Sequence, residues 1–143
     1  MSEDRRRYRL MLVLQMFSAL VACGFALVWP GPWTPTRWLG LVFLVAGMAL
    51  VFTARVQLGT SFSITPQARH LVTHGIYSKI RNPIYVFGSF AIAGLFLIVR
   101  LRWVWILLAA LVAMQVFRAH REAAVLEARF GDEYREYRQK TWF

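Results

Sequence analysis

The chain has 143 residues, 58% hydrophobic and 17% charged, with 17 Lys or Arg against 7 Asp or Glu and a formal net charge of +10. Apolar residues this abundant, gathered into long blocks, exclude an ordinary soluble domain of this size and imply an integral membrane protein. The charge does not point to nucleic acid: the basic residues stand at the ends of apolar blocks rather than along an amphipathic face, and anchoring in an anionic membrane accounts for them.

Behind the basic run "DRRRYR", residues 10–29 form an apolar stretch long enough to cross a hydrocarbon core of roughly 30 Å. It is too long for the hydrophobic region of a signal peptide, and "VWPGPW" offers no small-residue cleavage site, so a retained first helix is expected. Cys23, the single cysteine, lies within this stretch; it can form neither an internal disulfide nor a thiolate cluster and reads as a small core or lipid-facing residue. "PGPWTP" then breaks the helix, with Trp29, Trp33 and Trp38 placed where indoles favour the headgroup boundary.

Further spans are expected over about 38–54, 84–99 and 103–118, with Arg55 snorkelling from the end of the second. Only "RLR" links the last two, which therefore form an antiparallel hairpin, and both are short for a crossing. Gly88, Ser89, Ala91, Ala93 and Gly94 let the third helix approach a neighbour closely.

Arg5, Arg6, Arg7, Arg9, Arg55, Arg69, Lys79, Arg81, Arg118, Arg121, Arg129, Arg135, Arg138 and Lys140 fall on one side of this topology, and only Arg37, Arg100 and Arg102 on the other. The expected location is a bacterial inner membrane with both termini and the 55–83 loop cytoplasmic. Strong helix formers continue past the fourth span to Phe130, about 28 residues or roughly 42 Å from Trp103, so the last helix projects beside that loop. Gly131 supplies its stop, and Asp132 is expected to cap "EYREYRQK". The expected fold is all-α: one membrane domain over 1–143, with four transmembrane helices and cytoplasmic helices over 118–143.

The loop and the projecting helix meet on one membrane face, where Arg81, Arg118, Arg121 and Glu122 should pair internally or hold a charged ligand, or else form a solvated, lipid-headgroup-binding rim. Gly75 permits positive φ. Asn82 ahead of Pro83 is expected to cap the third helix, whose first N–H groups then face the site and favour a carboxylate. Tyr77 and Tyr85 suit an aromatic base or a sulfonium, or are interfacial tyrosines at a loop–helix junction. His70 and His74 stand four residues apart, but the loop offers no further ligands and no HExxH pattern, so no metal is expected.

"LGTSFS", then "LVTHGIYSKIRNPIYVFG", then "REAAVLEARFGDEYREYRQKTWF" resemble the isoprenylcysteine carboxyl methyltransferase family and the related phospholipid N-methyltransferases, over roughly residues 55 to 140. The resemblance implies a membrane enzyme that binds S-adenosylmethionine between the loop and the last helices and methylates a lipophilic or lipidated acceptor, such as an isoprenylcysteine carboxylate, in contact with membrane lipids. Donor contacts would come from His74, Gly75, Tyr77, Arg81, Asn82, Tyr85 and Glu122, and catalytic roles would fall to Arg118 and Glu122. Pro83, Leu126, Phe130, Gly131, Tyr134 and Tyr137 also match the pattern. Asn82 stands where the family most often has His, and Ala123 where it has a second Glu. Loss of that carboxylate keeps a second reading in play, a non-enzymatic binding or assembly module on the same fold. A transporter is disfavoured, because the spans hold almost no ionisable residues.

Overall fold

In a computed structural model the described residues are 2–59 and 71–143. Arg69, His70 and most of "LGTSFS" lie outside them. The helices are α1 (Ser2–Val28), α2 (Pro35–Leu58), α3 (Pro83–Val99), α4 (Val104–Phe130) and α5 (Asp132–Lys140), with a 3-10 turn at Gly75–Ser78. The described residues are thus all-helical apart from one isolated bridge between Ile80 and Trp142. Arg5–Val28, Pro35–Leu58 and Val104–Phe130 are long and apolar enough to cross a membrane, whereas Pro83–Val99 is shorter. Residues 103–118 are not a short span by themselves: most of them open the 27-residue α4.

The turn after α1 forms as its prolines require. Gly31 takes φ +119°, Thr34 caps α2 by accepting the Arg37 N–H at 3.4 Å, and Pro35 occupies the first turn, where its missing N–H is not needed. Arg37 departs from its expected place among the outer charges: it is only 3% exposed. Its guanidinium donates to the carbonyls of Gly31 (2.7 Å), Ala26 (3.0 Å), Leu27 (3.3 Å) and Trp29 (2.7 Å), and it lies 4.2 Å from the centre of the Trp33 ring. The last carbonyls of α1 have no intrahelical partner, and Arg37 satisfies them while placing its charge at the negative end of the helix dipole.

α2 and α3 pack most closely of all the helix pairs. Gly40, Leu44, Gly47, Val51 and Ala54 recur on one buried face of α2, opposite Ala91, Gly94 and Ile98 of α3. A Cβ added at Gly94 would sit 2.5 Å from the Gly40 carbonyl oxygen, and one at Gly47 would sit 2.7 Å from the Ala91 nitrogen. The backbones therefore touch, the arrangement by which helices gain dispersion contact in lipid, where no hydrophobic drive holds them together. Gly88 has no such neighbour, and Ser89 turns to α4, donating to Gln115 Oε1 at 2.8 Å, so the small residues of α3 serve two faces. Ala22 and Cys23 of α1, and Trp29 just after it, pack on the Ala26–Leu44–Ala91–Ile98 cluster, which makes Cys23 a small core residue.

The α3–α4 hairpin closes through Arg100 in the left-handed region (φ 61°), with its N–H on the Phe96 carbonyl at 2.9 Å and Phe96 edge-on to Trp105. Gly131 (φ 52°) ends α4, as expected for a residue without a Cβ. Asp132 does not cap α5. The cap position is Gly131, and Asp132, inside the helix, pairs with Arg135 at 3.0 Å, because the left-handed glycine already turns the chain into the helix.

Candidate functional site

The antiparallel course of α2, α3 and α4 gathers the end of α2, the start of α3 and the far half of α4 around the 75–82 segment. Gly75 has φ +61°, and the Ile76 N–H that follows donates to Gln57 Oε1 of α2 at 2.8 Å. The Gln57 amide lies directly under Gly75, so a Cβ there would push that side chain aside, and the positive φ makes the position one for glycine. His74 is exposed in extended backbone. It contributes its carbonyl to the Tyr77 N–H at 3.2 Å, and its side chain makes no capping bond.

Tyr77 is 6% exposed, and its carbonyl accepts the Tyr137 hydroxyl at 2.7 Å. Burial, then the neighbouring Tyr137, pushes the Tyr77 phenol above its ordinary range, so it stays neutral. Burial likewise pushes Tyr137 up to about 12 and raises Tyr134, with Arg81 opposing both. Arg81 thus lies near the tyrosine pair of α5.

Asn82 precedes α3 as expected but does not cap it with its side chain. With ψ at 57° it offers its carbonyl to the Tyr85 and Val86 N–H groups at 3.1 and 3.2 Å, and its own N–H goes to the Phe143 carbonyl at 3.0 Å. The helix-start N–H groups of Tyr85 and Val86, expected to face a ligand carboxylate, are therefore already bonded to protein.

One turn into α3, the Tyr85 hydroxyl donates to Glu122 Oε1 of α4 at 2.5 Å. Arg118, one turn earlier on α4, stands 3.8 Å from Glu122 and 5.8 Å from the centre of the Tyr85 ring. Arg118 and Glu122 are 50% and 31% exposed at their side chains, so this group remains reachable. Arg121 does not join it, lying instead 4.6 Å from the centre of the Phe117 ring, because it points from another face of α4. The expected four-residue charge cluster is thus two groups: Tyr85, Arg118 and Glu122 on the helices, and Arg81 with Tyr134 beside the loop.

Sequence reasoning missed Gln57, Trp142 and Phe143 as partners of this segment. Nothing in the sequence marks Gln57, whereas Tyr134 and Tyr137, three apart in the otherwise highly polar "DEYREYRQK", carried a readable signal: a one-sided aromatic stripe needs something to cover it.

Comparison with known proteins fits this geometry. A family model described as phospholipid methyltransferase matches residues 35–133, from the start of α2 into α5. The protein-S-isoprenylcysteine O-methyltransferase of Schizosaccharomyces pombe is 41% identical over 109 residues, covering 71% of this chain and 45% of its own length. The solved structure of a eukaryotic intramembrane Ras methyltransferase, an isoprenylcysteine carboxyl methyltransferase, superposes with a TM-score of 0.61 at 26% identity, over 90% of this chain and 50% of that one. The chain thus spans about half the length of the relatives it matches. Three helices of membrane-crossing length and likeness to an intramembrane protein make it an integral membrane protein. With the family model covering most of its length, from α2 into α5, the chain belongs to the phospholipid methyltransferase family.

Proposed function

We propose that the chain is an S-adenosylmethionine-dependent membrane methyltransferase acting on a lipophilic acceptor of the isoprenylcysteine carboxylate type. The activities named for its relatives support this. The observation that carries it is the 2.5 Å Tyr85–Glu122 hydrogen bond, which unites the start of α3 with α4 beside Arg118. Segments far apart in sequence, each bearing part of the family pattern, thereby form one reachable polar group at one end of an apolar bundle.

The residues present suit the methyl donor. Gly75, held over the Gln57 amide, sets the turn that carries Tyr77 and the residues up to Asn82. Tyr77 and Tyr85 have aromatic faces for a purine or a sulfonium, Arg81 has a guanidinium for a carboxylate, and Glu122 has a carboxylate for an amino group. His74 and Asn82, whose side chains make no capping bonds, complete the set with further hydrogen-bonding groups. When bound, S-adenosylmethionine supplies a methyl group activated on a sulfonium.

Arg118 orients the acceptor. Its 3.8 Å separation from Glu122 exceeds hydrogen-bond length, so it can turn one edge of the guanidinium to an incoming carboxylate. Glu122, fixed by Tyr85, holds Arg118 nearby. A carboxylate is ionised at neutral pH and needs no general base, so the protein's task is to align the acceptor and exclude water.

Four crossings complete the reading. α3, at about 26 Å, traverses a locally thinned bilayer or uses its flanking residues. The far half of α4 projects into the cytoplasm with both termini. A lipid tail then enters sideways between helices while its headgroup reaches Arg118.

The test is saturable S-adenosylmethionine binding by the protein in lipid nanodiscs, followed by methyl transfer to a panel of isoprenylcysteine and phospholipid acceptors. No binding ends the donor assignment. Binding without turnover across the panel favours the non-enzymatic module to which Ala123 points.

A further inference from the structure

Beyond α5 the chain becomes extended at Thr141 (φ −125°, ψ 149°) and runs parallel to residues 79–82. The Trp142 N–H donates to the Lys79 carbonyl at 2.8 Å, the Arg81 N–H to the Trp142 carbonyl at 3.0 Å, and the Asn82 N–H to the Phe143 carbonyl at 3.0 Å. The Thr141 hydroxyl closes the end of α5 on the Tyr137 carbonyl at 2.8 Å, and Tyr137 in turn holds the Tyr77 carbonyl at 2.7 Å. Tyr77, Lys79, Arg81 and Asn82 are therefore each bonded to α5 or to the residues that follow it, across some 60 residues of sequence. Trp142 is 64% exposed, so packing of the indole contributes little and the contact is made by main chain.

We infer that Trp142 and Phe143 are positioning residues: their main chain forms a strap that sets the conformation of Lys79–Asn82 and so aims Arg81 and Asn82 at the methyl donor. This rests on the donor site proposed above. A segment holding Arg81 and Asn82 between a 3-10 turn and a helix start has few local bonds to fix it, since Pro83 offers no N–H. Without the strap the Arg81 and Asn82 N–H groups would turn to water, and the segment would sample several conformations, each ordering event opposing donor binding. The strap removes that cost in advance by ordering the segment in the unliganded protein.

The test uses the full chain in nanodiscs. Trp142→Pro removes the N–H given to Lys79, and the extended Thr141 tolerates a following proline. Trp142→Ala removes the ring and keeps the main chain. Amide hydrogen exchange at Arg81 and Asn82, read without ligand, is expected to be slow in the unmodified protein and in Trp142→Ala and faster in Trp142→Pro. S-adenosylmethionine affinity should fall about tenfold in Trp142→Pro, the scale of one or two lost hydrogen bonds, and stay within about twofold in Trp142→Ala. Thermal unfolding of the helices should be the same for all three. Unchanged exchange in Trp142→Pro overturns the strap. Faster exchange with unchanged affinity, or equal loss of affinity in both variants, overturns its positioning role. If the unmodified protein binds no S-adenosylmethionine, the donor reading fails and the positioning role falls with it, while amide protection shows separately whether the strap exists.

Discussion

The two ends of the bundle each use an arginine, to opposite effect. At the α1–α2 turn Arg37 is buried, gives hydrogen bonds to four carbonyls and lies against Trp33. At the other end Arg118 is half exposed, holds its carboxylate at 3.8 Å, and stands near an aromatic ring without being covered by it. A buried guanidinium whose two terminal nitrogens are both given to main-chain carbonyls is a structural clasp. One that is loosely paired and reachable can take up a ligand, and pairing and burial rather than residue type decide between them.

The largest expected effect therefore lies at the closed end. Arg37→Ala leaves the last α1 carbonyls without partners and should cost roughly 3 kcal/mol or more of stability, and Arg37→Lys should recover little, because an ammonium cannot reach four acceptors in a fork. Denaturant unfolding in detergent measures both; an Arg37→Ala protein as stable as the parent would mean that the turn is held by its prolines alone. This variant is consequently unsuitable as a neutral control for ligand binding.

At the open end the expected losses fall on binding more than on folding. Gly75→Ala meets the Gln57 amide and a left-handed φ, with a cost of about 2 kcal/mol confined to the loop. Donor affinity, followed by calorimetry, should drop sharply while the helices melt as before, and unaltered affinity would remove Gly75 from the site. Tyr85→Phe deletes one hydrogen bond to Glu122, about 1 kcal/mol. The expected signature is a lower kcat with a modest change in stability; a fully active Tyr85→Phe enzyme would show that Glu122 needs no anchor.

The smallest effect concerns pH. Tyr137 has its pKa raised to about 12, chiefly by burial, against an ordinary 10.0. A group raised in the folded state contributes its full stabilisation below the unfolded value and loses it as pH rises through the folded one. Nothing should change below about pH 10, and the α5–loop contact should loosen between about 10 and 12 as the hydroxyl that holds the Tyr77 carbonyl ionises. Alkaline titration of tyrosinate absorbance with and without Tyr137→Phe follows this, and a transition well below pH 10 would contradict the burial of that hydroxyl.

Much of this was legible because it is local. The α1 helix, the prolines that end it, the Gly131 stop and the hairpin across "RLR" each depend on a few adjacent residues and their preference for hydrocarbon or for a turn. The family resemblance also singled out Tyr77, Arg81, Tyr85, Arg118 and Glu122 for the roles proposed above. It did not reveal that Arg121 turns away, or that Asn82 caps α3 with its carbonyl rather than its side chain.

The sequence by itself determined an apolar, helical, membrane-embedded chain, where most of its helices start and stop, and which residue types stand near one end of the bundle. Only the tertiary structure decided that Gly40 and Gly47 meet Ala91 and Gly94, that Arg37 is buried, that Tyr85 reaches Glu122, and that Trp142 and Phe143 strap the loop. The division has one cause: helix formation and partition into lipid are governed by neighbours along the chain. Pairings across tens of residues depend on which faces meet, and hydrophobic pattern alone says little about that where every face of a helix is apolar.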